Sequence, residues 1–420
     1  MADKLDALYS KFLKSKGVSI DTRTIKEDQL FFAISGPNFN GNTFAQEALD
    51  KGASFAVIDD AAYGVEGRTV LVENGIHALQ DLASLHRHHF KGPVLGITGS
   101  NGKTTTKELI TKVLAEKYKV HATKGNFNNH IGVPLTILEM KEDAEIAIIE
   151  MGANHVGEIA SYCEVAKPTH GLITNIGRAH TETFGGIEGV IRGKSELFDF
   201  LRKTGGKPFI NVGDRVLANM SKRFADPMIY PKEGLEPIEA TPFLKVRVVE
   251  DVLATSLVGA YNFSNVAAAI AVGSFFEVER DKMLQAIEAY RPDNARSEII
   301  QRGSTTIILD AYNANPDSMK VALDSLADHQ GKKVAILGDM NELENSDHAH
   351  VEIINHAVDL EIDQILTVGN KIGKVADPVN HFTTKKDLEA YLKDIDFRST
   401  TVLLKASRSI KLETILNSIH

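Results

Sequence analysis

The sequence contains no tryptophan and a single cysteine, Cys163, among its 420 residues. One cysteine excludes a disulfide within the chain, so we expect a reducing compartment and a buried structural role for this residue rather than a nucleophilic one. No apolar run approaches the roughly 18 residues that a membrane-spanning helix needs. The polar start Met1-Ala2-Asp3-Lys4 is not that of a signal peptide. Together these absences predict a cytoplasmic protein.

Basic residues are also fewer than acidic ones. Lysine and arginine number 47 against 56 aspartates and glutamates, for a formal net charge of −9. This balance argues against a general nucleic-acid binder but leaves room for a local basic site that takes an anionic substrate. Apolar residues make up 43% of the chain and charged residues 25%, which is typical of globular proteins and not of disordered ones. At roughly 150 residues per domain, the length suggests about three domains.

Apolar runs and turn residues divide the chain into three α/β segments, 1–91, 92–294 and 295–420. In the first, strands are predicted at 30–34, 54–58 and 69–72 and helices at 43–51 and 75–90. In the second, strands are predicted at 94–98, 146–150 and 172–175, and in the third at 306–310, 334–338, 364–368 and 401–404. Continuous apolar strands that alternate with helices predict parallel sheets covered on both faces.

The stretch from Gly96 to Thr106, Gly-Ile-Thr-Gly-Ser-Asn-Gly-Lys-Thr-Thr-Thr, lies between an apolar run and an amphipathic helical pattern. Glycines there let backbone N–H groups converge on a phosphate, and the helix adds its positive end. In such P-loops the lysine, here Lys103, reaches the β- and γ-phosphates, and the hydroxyl, here Thr104, binds Mg²⁺. The strict P-loop pattern is Gly-x-x-x-x-Gly-Lys followed by Ser or Thr. This sequence departs from it by one place, because Ile97 occupies the position of the first glycine and Gly96 comes one residue earlier. We interpret the stretch as a variant P-loop rather than a chance turn.

Acidic and polar residues follow several predicted strands. Glu150 ends the strand 146–150, and ligands of parallel sheets lie beyond the carboxyl ends of the strands. A carboxylate at that position suits Mg²⁺ if the strand neighbours the P-loop. Asp310 follows a third-segment strand, where it is either a ribose ligand or a plain loop carboxylate. The strand ends of the third segment are expected to cluster along one edge of its sheet, with Asp310, Asp339, Asn370 and Ser407.

One lysine is predicted to face inward. A helical pattern over 187–201 has an apolar stripe of Ile187, Val190, Ile191, Phe198 and Leu201, and Lys194 lies on that stripe. A buried, unpaired ammonium is costly, so Lys194 needs an anion, a chemical modification, or escape by snorkelling. His180 follows a strand end nearby and is either a metal ligand or a structural histidine.

Asparagines are concentrated in two places. Asn126, Asn128 and Asn129 lie in a glycine-containing loop that is either a turn cluster or a site for a polar ligand. Asn262 and Asn265, spaced i and i+3, share one face of a helix of small residues. On the sequence alone, capping of that helix is the preferred role for Asn262.

In this order, these stretches resemble the Mur ligase family over nearly the whole chain. Each match is modest alone, but the series is specific, and the strings Tyr-Asn-Ala-Asn-Pro and Gly-Asp-Met favour the members that add D-alanyl-D-alanine. The matching stretches are 98–106, 126–134, 150–152, 175–180, 193–196, 262–265, 310–316, 338–343 and 405–408.

The resemblance implies an α/β protein of three domains. These are a small N-terminal domain that binds the UDP end of the substrate (1–91), a central P-loop domain with a parallel sheet that binds ATP (92–294), and a C-terminal Rossmann-like domain (295–420). The implied reaction adds D-alanyl-D-alanine to a UDP-N-acetylmuramoyl-tripeptide through an acyl phosphate, with ATP and two Mg²⁺ ions. From the negative net charge we expect no nucleic-acid partner, and we expect a monomer.

Residue roles are carried over position by position. Thr104 and Glu150 are implied to bind one Mg²⁺, and His180 and Lys194 to serve a second, with Lys194 carbamylated as the matching lysine of relatives is. The implied catalytic residues are Lys103, Lys194, His180 and Glu150. The implied ATP-binding residues are Gly99, Ser100, Asn101, Gly102, Lys103, Thr104, Thr105, Asn262 and Asn265 (adenine), Arg296 (phosphates) and Asp310 (ribose). The implied UDP-substrate residues are Thr22, Arg23, Asn40, Asn128 and Asn129.

Departures from the family pattern leave some roles open. Ala295 and Ala406 stand where glycines are usual, and Asn42 stands where a histidine is common. The rival interpretations are a sister Mur ligase, a folylpolyglutamate synthetase, and a nucleotide-binding regulator without catalytic activity. The string 293–296 is similar to a signature of the diaminopimelate-adding relatives, but it lies at a domain junction. The folate enzymes lack the matched first domain, and a regulator needs no second metal site.

Overall fold

The first part of the chain forms a small parallel sheet. The computed structural model describes residues 2–341, 343, 345–377 and 379–420, so Met1 and Glu342, both in stretches noted above, lie outside the described residues. The sheet order is β1-β2-β3-β4, and all of its pairs are parallel. Its elements are α1 (Ala2–Leu13), β1 (Val18–Ser19), β2 (Leu30–Phe32), α2 (Ala45–Asp50), β3 (Phe55–Ile58), β4 (Thr69–Leu71) and α3 (Gly75–His89).

The second part is built on a six-stranded parallel sheet, in which the strands Val94–Thr98 and Ile146–Glu150 are completely buried. Its order is β10-β9-β8-β5-β7-β6. The strands are β5 (Val94–Thr98), β6 (Val120–Ala122), β7 (Ile146–Glu150), β8 (His170–Ile173), β9 (Lys207–Asn211) and β10 (Met228–Tyr230). The helices up to this point are α4 (Lys103–Ala115), α5 (Gly132–Leu138), α6 (Glu158–Ala166), α7 (Thr181–Phe184), α8 (Ile187–Thr204) and α9 (Arg215–Ser221).

A second, antiparallel sheet and two helices complete this part. The sheet has the order β11-β12-β13, and the first helix after it packs against α4. The elements are β11 (Leu235–Glu239), β12 (Lys245–Val248), β13 (Asp251–Ala254), α10 (Phe263–Phe275) and α11 (Arg280–Ala289). The sequence patterns did not predict this sheet, because its strands are short and mostly exposed on one face.

The third part is a second doubly wound sheet with the order β14-β15-β19-β16-β17-β18. Only the β14–β15 pair is antiparallel among these described strands. Its elements are β14 (Glu298–Arg302), β15 (Thr305–Asp310), α12 (Pro316–Ala327), β16 (Lys332–Gly338), α13 (Ser346–Asp359), β17 (Gln364–Val368), β18 (Asn380–Phe382), α14 (Lys385–Leu392) and β19 (Thr400–Lys405). Short 3-10 helices occur at Gly41–Phe44, Ala61–Tyr63, Ala260–Asn262, Ile372–Val375, Arg408–Ile410 and Leu412–Ser418.

The strand order brings the predicted site residues to one edge of the central sheet. Strand β5 lies between β7 and β8, so the loop after Thr98 is flanked by the carboxyl ends of both neighbours. Glu150 and the segment after Ile173 therefore lie beside the P-loop, which meets the condition that the sequence analysis set for Glu150, a strand that neighbours the P-loop strand. The predicted strands 94–98, 146–150 and 364–368 have the observed bounds, whereas the strand predicted at 172–175 runs from His170 to Ile173.

Two buried residues show how the predicted helices pack. Cys163 on α6 is completely buried in the core, which confirms its predicted structural place. Ile187 was wrongly placed on the buried stripe of α8: it is the first residue of the helix and 42% exposed, because the stripe begins only one turn later at Val190. In the described parts of the chain, no helix combines the length and the apolar character that crossing a bilayer requires.

Candidate active site

The P-loop curls tightly because two of its glycines have backbone conformations that other residues rarely adopt. Gly99 has φ 146° and Gly102 has φ 76°. A Cβ atom on Gly99 would lie 1.9 Å from Thr174 Oγ1, and one on Gly102 would lie 2.7 Å from Asn265 Oδ1. Gly96 has a different role from the one suggested by the sequence: it lies in β5, where a Cβ would come 3.1 Å from Leu197 Cδ1. The displaced glycine therefore serves helix packing, not the phosphate loop.

Lys103 starts helix α4 and its side chain folds back over the loop. Its Nζ donates to the carbonyl oxygens of Gly99, at 2.7 Å, and Ser100, at 3.2 Å. Burial lowers the pKa of Lys103 to about 8, a shift that Glu150 opposes and to which the nearby charge of Arg296 contributes. The ammonium is thus held where a polyphosphate would enter, at the positive end of the helix.

Glu150 is the one carboxylate buried against the P-loop helix among the described residues of this wall. Its Oε1 accepts hydrogen bonds from Thr104 Oγ1, at 3.2 Å, and Asn128 Nδ2, at 2.7 Å. The other oxygen, Oε2, is buried and has no hydrogen-bond partner among the described residues. Lys107 Nζ, from the next turn of α4, lies 3.8 Å from that oxygen. A buried carboxylate oxygen without a donor is suited to a cation.

Lys194 faces the protein interior, as the sequence predicted. It is 1% exposed, its Nζ donates to the Ala153 carbonyl at 3.1 Å, and the same atom lies 5.2 Å from the centre of the Phe184 ring. Burial holds the pKa of Lys194 well below its usual range, and the charge of Lys103 adds to this effect. Snorkelling to the surface, one of the possibilities left open by the sequence, is therefore wrong for this residue.

His180 lies at the start of the short helix α7, on the same side of the sheet. Its backbone is left-handed, with φ 57°, which is uncommon for a residue with a side chain. Such conformations persist where the surrounding structure holds them and are frequent at functional sites. His180 contributes to the cavity wall together with Glu150, as expected for a residue at this edge.

Asn262 does not cap helix α10, so the capping role preferred on the sequence alone is wrong. Its side chain makes no cap hydrogen bond because the backbone there is already helical. Instead, Asn262 Nδ2 donates to the Val258 carbonyl at 2.8 Å, and its Oδ1 accepts from Asn265 Nδ2 at 2.8 Å. Asn265 Oδ1 in turn accepts from Thr106 Oγ1 at 2.9 Å. The pair therefore joins α10 to the P-loop helix, and both residues share one face as predicted.

The third part of the chain supplies the opposite wall. Lys405 Nζ lies 2.5 Å from Asp310 Oδ2, across the parallel pair β15–β19. Arg296 stacks its guanidinium 3.5 Å from the centre of the Tyr312 ring, and its Nε has no hydrogen-bond partner among the described residues. Asn315 Nδ2 donates to Asn101 Oδ1 of the P-loop at 2.7 Å. Arg296 and Asp310 thus face the P-loop across the gap.

These walls enclose a cavity of about 630 Å³, large enough for a nucleotide. Of the predicted site residues, it is lined by Ser100, Asn101, Gly102, Lys103, Thr104, Thr105, Asn128, Asn129, Glu150, His180, Asn262, Asn265, Arg296 and Asp310. Gly99 and Lys194 lie behind this lining. The described residues hold no cluster of three or more histidine, cysteine, aspartate or glutamate side chains able to bind a metal.

The residues predicted for the UDP end of a substrate are split between two places. Asn128 and Asn129 line the cavity, whereas Thr22, Arg23 and Asn40 lie in the first part of the chain and do not. Thr22 is buried, and Arg23 is exposed and paired with Asp21.

Asn42, whose role the sequence left open, is a structural brace. It is 3% exposed, and its Nδ2 donates to Asp59 Oδ1 at 2.7 Å. Its Oδ1 accepts from the backbone N–H of Asp59 at 3.0 Å. Asn40, a predicted substrate residue, accepts from the Asn42 backbone at 3.0 Å. The amide therefore holds the loop before α2 against the strand β3.

Several cavity residues were missed by the sequence patterns. Asn154, Glu158, Tyr162 and Tyr261 line the cavity but belong to no motif that carries a chemical signature, and His130 lines it too, although only the asparagines of its loop were singled out. Lys107 was missed too, although one signal was available: it lies three positions after Thr104, and residues spaced i and i+3 share a helix face. That face is the buried one, so a lysine there implies a charged partner, which is Glu150.

Family models match almost the whole chain. The Mur ligase family catalytic domain matches residues 14–87, the Mur ligase middle domain residues 97–273, and the Mur ligase glutamate ligase domain residues 295–408.

Among curated proteins, the UDP-N-acetylmuramoyl-tripeptide--D-alanyl-D-alanine ligase of Bacillus subtilis is 35% identical over 96% of this chain and 93% of its own. The ligase of the same name from Escherichia coli is 31% identical over 96% of this chain and 93% of its own. A crystal structure of MurF from Acinetobacter baumannii has a TM-score of 0.87 at 26% identity, covering 100% of this chain and 98% of that one. MurF from Thermotoga maritima in complex with ADP has a TM-score of 0.83 at 26% identity, covering 97% of both chains.

Proposed function

Since the chain belongs to the Mur ligase family, we propose that it joins D-alanyl-D-alanine to UDP-N-acetylmuramoyl-tripeptide, with conversion of ATP to ADP and phosphate. Relatives that carry this activity in their names match the chain from end to end. The observation that carries the proposal is the cavity, where the P-loop and Glu150 face Arg296 and Asp310 across a gap of nucleotide size. The product is a precursor of peptidoglycan.

The reaction needs the tripeptide carboxylate to acquire a better leaving group. Its oxygen attacks the γ-phosphorus of ATP, ADP leaves, and an acyl phosphate forms. The amine of D-alanyl-D-alanine then attacks the acyl carbon, and the tetrahedral intermediate expels phosphate as the amide forms. Lys103 holds its ammonium at the phosphate end of the cavity, which favours the charge on the transferring group, and the fixed walls supply orientation.

The oxygen atoms at and around Glu150 fit a Mg²⁺ ion. Mg²⁺ in phosphoryl-transfer sites is bound by one or two protein oxygens together with substrate phosphates and waters. Thr104 Oγ1 and Glu150 Oε2, which accepts no hydrogen bond from the described residues, would hold it, while Asn128 fixes the carboxylate plane. When bound, the ion neutralises charge on the phosphates.

Lys194 is proposed to carry a carbamate. A buried ammonium whose one described hydrogen bond goes to a neutral carbonyl is costly. As a neutral amine, Lys194 can add CO₂ to give N–COO⁻ and release one proton, which turns the side chain into an oxygen ligand. Together with His180, which lines the cavity, this carboxylate would serve a second Mg²⁺. Incubation with ¹³C-bicarbonate should give a carbamate resonance that Lys194→Ala lacks, and its absence from the parent would contradict this assignment.

The remaining roles follow the walls of the cavity. Asn262 and Asn265 are proposed to meet the adenine, and Asp310 the ribose. Arg296 would meet the phosphates, supported by its guanidinium nitrogen without a described partner. Thr22 and Arg23 are proposed for the UDP end of the substrate.

The domain roles are proposed along the same lines. Residues 1–91 would bind the UDP end, 92–294 would bind ATP, and 295–420 would close the site. Asn40 in the first part and Asn129 at the cavity are also proposed to meet the UDP-substrate, which would then run from one part to the other. Because ATP is supplied inside the cell, we also propose a cytoplasmic location.

The decisive experiment is an assay of ADP release with each substrate omitted in turn. We expect release only when both UDP-N-acetylmuramoyl-tripeptide and D-alanyl-D-alanine are present, and the assay should be run with tripeptides that end in lysine and in diaminopimelate. Release with folate and glutamate would assign the chain to the folylpolyglutamate synthetases. ATP binding without any substrate-dependent release would indicate a regulator.

A further inference from the structure

One arginine joins the second and third parts of the chain. Arg178 lies in the loop after β8 and donates from Nε to Asp317 Oδ1 at 2.8 Å. Its backbone N–H donates to Asp317 Oδ2 at 2.7 Å. The two terminal nitrogens of the guanidinium donate to the two oxygens of Glu352, at 2.8 and 3.2 Å. A single side chain from the loop after β8 thus binds two helices of the third part, α12 and α13.

The charges around this contact are arranged as a network rather than as isolated pairs. Lys320 Nζ reaches the same Glu352 carboxylate at 2.5 Å. The hydrogen bond from Arg178, with Lys320, lowers the pKa of Glu352 to about 2, so the carboxylate is ionised at neutral pH. Isolated exposed ion pairs contribute little to stability. A planar guanidinium that donates to two carboxylates, however, fixes the orientation of the bonded groups as well as their distance.

The backbone before Arg178 is shaped for this approach. A Cβ atom on Gly177 would lie 2.7 Å from Asp317 Oδ2, so the carboxylate can come this close only because the residue is glycine. A second hydrogen bond, from Asn315 to Asn101, crosses the same boundary beside the P-loop. Gly177 and Asp317 both contribute to the wall of the nucleotide cavity, whereas Glu352 does not.

We propose that Arg178 is a positioning residue that stabilises the closed arrangement, in which the third domain lies over the nucleotide cavity. It acts through Asp317 and Glu352. The inference rests on the proposed function only in taking the cavity to be the ATP site. If the closed arrangement is the binding-competent one, loss of the contact lowers its population, and the apparent affinity for ATP falls by the same fraction. Saturating ATP restores closure, so kcat is retained.

The test uses Glu352→Gln, which keeps the size of the side chain, removes its charge and lies outside the cavity. The matched control is Asp359→Asn, on an exposed position of the same helix. Dyes on cysteines introduced at the exposed Lys203 of α8 and Lys386 of α14 report the separation of the two domains by energy transfer, and the buried Cys163 stays unlabelled. Thermal unfolding checks that every variant is folded.

At an ATP-analogue concentration that half-saturates the parent, we expect Glu352→Gln to shift the transfer efficiency, and saturating analogue to reverse most of the shift. We expect the KM for ATP to rise by about 3- to 10-fold with kcat within about twofold of the parent. Arg178→Lys keeps the charge but lacks the planar guanidinium. Its transfer efficiency and its KM for ATP should lie between those of the parent and those of Arg178→Gln. Asp359→Asn should match the parent in both measurements.

Three outcomes decide the matter. Unchanged transfer in Glu352→Gln and Arg178→Gln overturns the proposal, whatever happens to the KM. A raised KM with unchanged transfer overturns it as well, because it assigns Arg178 to direct ligand contact. If the transfer shifts as expected but no variant, including the parent, releases ADP with the muramoyl tripeptide, the positioning role stands and the proposed function fails.

Discussion

The ammonium of Lys107 lies 3.8 Å from Glu150 Oε2, and both side chains are almost completely buried. The same ammonium lies 3.9 Å from Glu108 Oε1. Glu108 in turn accepts hydrogen bonds from Tyr290 Oη, at 2.6 Å, and Asn294 Nδ2, at 3.0 Å, in the segment that leads into the third domain. One buried cation therefore lies between the proposed metal carboxylate and the carboxylate that holds the domain junction.

Glu150→Gln removes the charge proposed to bind Mg²⁺ while keeping the shape of the side chain. We expect ADP formation at saturating substrates to fall by about 100-fold or more, since charge stabilisation of the transferring phosphoryl group is lost. The free energy of unfolding should fall by about 1–3 kcal/mol, because Lys107 loses a buried partner. Thr104→Ser, which keeps the hydroxyl, is the control. A Glu150→Gln enzyme within threefold of the parent rate would refute the assignment.

Glu108→Gln should loosen the segment 290–296 without touching the cavity. Arg296 lies two residues after Asn294, so we expect it to be misplaced and the KM for ATP to rise by about 3- to 10-fold. Steady-state kinetics with ATP as the varied substrate measure the effect. Glu116→Gln, at the exposed end of the same helix, should change nothing. Equal KM values for the two variants would show that the junction is held by other contacts.

Binding of ATP should be linked to proton uptake at Lys103. Burial lowers the pKa of this residue from 10.5 to about 8, so between pH 8 and 10.5 the folded protein binds fewer protons here than the unfolded chain. The contribution of this group to stability therefore rises with pH over that window. Phosphates favour the ammonium, so binding at pH 9 should take up protons. Calorimetry in buffers of different ionisation enthalpy should detect uptake in the parent and much less in Lys103→Met.

The thiol of Cys163 should be unreactive in the folded protein. It is completely buried on α6, and burial raises its pKa, so the reactive thiolate is scarce. We expect one thiol per chain to react with a disulfide reagent in denaturant and none without it. Cys163→Ala should keep kcat and lower the free energy of unfolding by about 1 kcal/mol. Inactivation of the native enzyme by thiol reagents would contradict the structural role.

Patterns of short range were sufficient for much of the architecture. The buried strands β5 and β7 are continuous apolar runs, so their bounds and a parallel sheet could be predicted, with Glu150 at the end of β7. That β5 and β7 are neighbours in the sheet could not be predicted from these runs. Lys194 could be predicted to face inward because it shares a helical stripe with Val190 and Phe198. Cap geometry could not be predicted, since the role of Asn262 depends on the Val258 carbonyl and on Asn265, which only the fold brings into place.

The sequence by itself determined that this is an α/β chain with a phosphate loop, a strand-end carboxylate and an inward lysine, because those features depend on periodicity and on the chemistry of neighbouring residues. Only the tertiary structure decided how the two cavity walls meet. Arg178 with Asp317 and Glu352, and Glu108 with Tyr290, are separated by more than a hundred positions along the chain. No local pattern encodes such pairs: the Arg178 contacts form only when the sheets of the second and third parts are brought against one another, and the Glu108–Tyr290 contact forms only when α11 packs against α4.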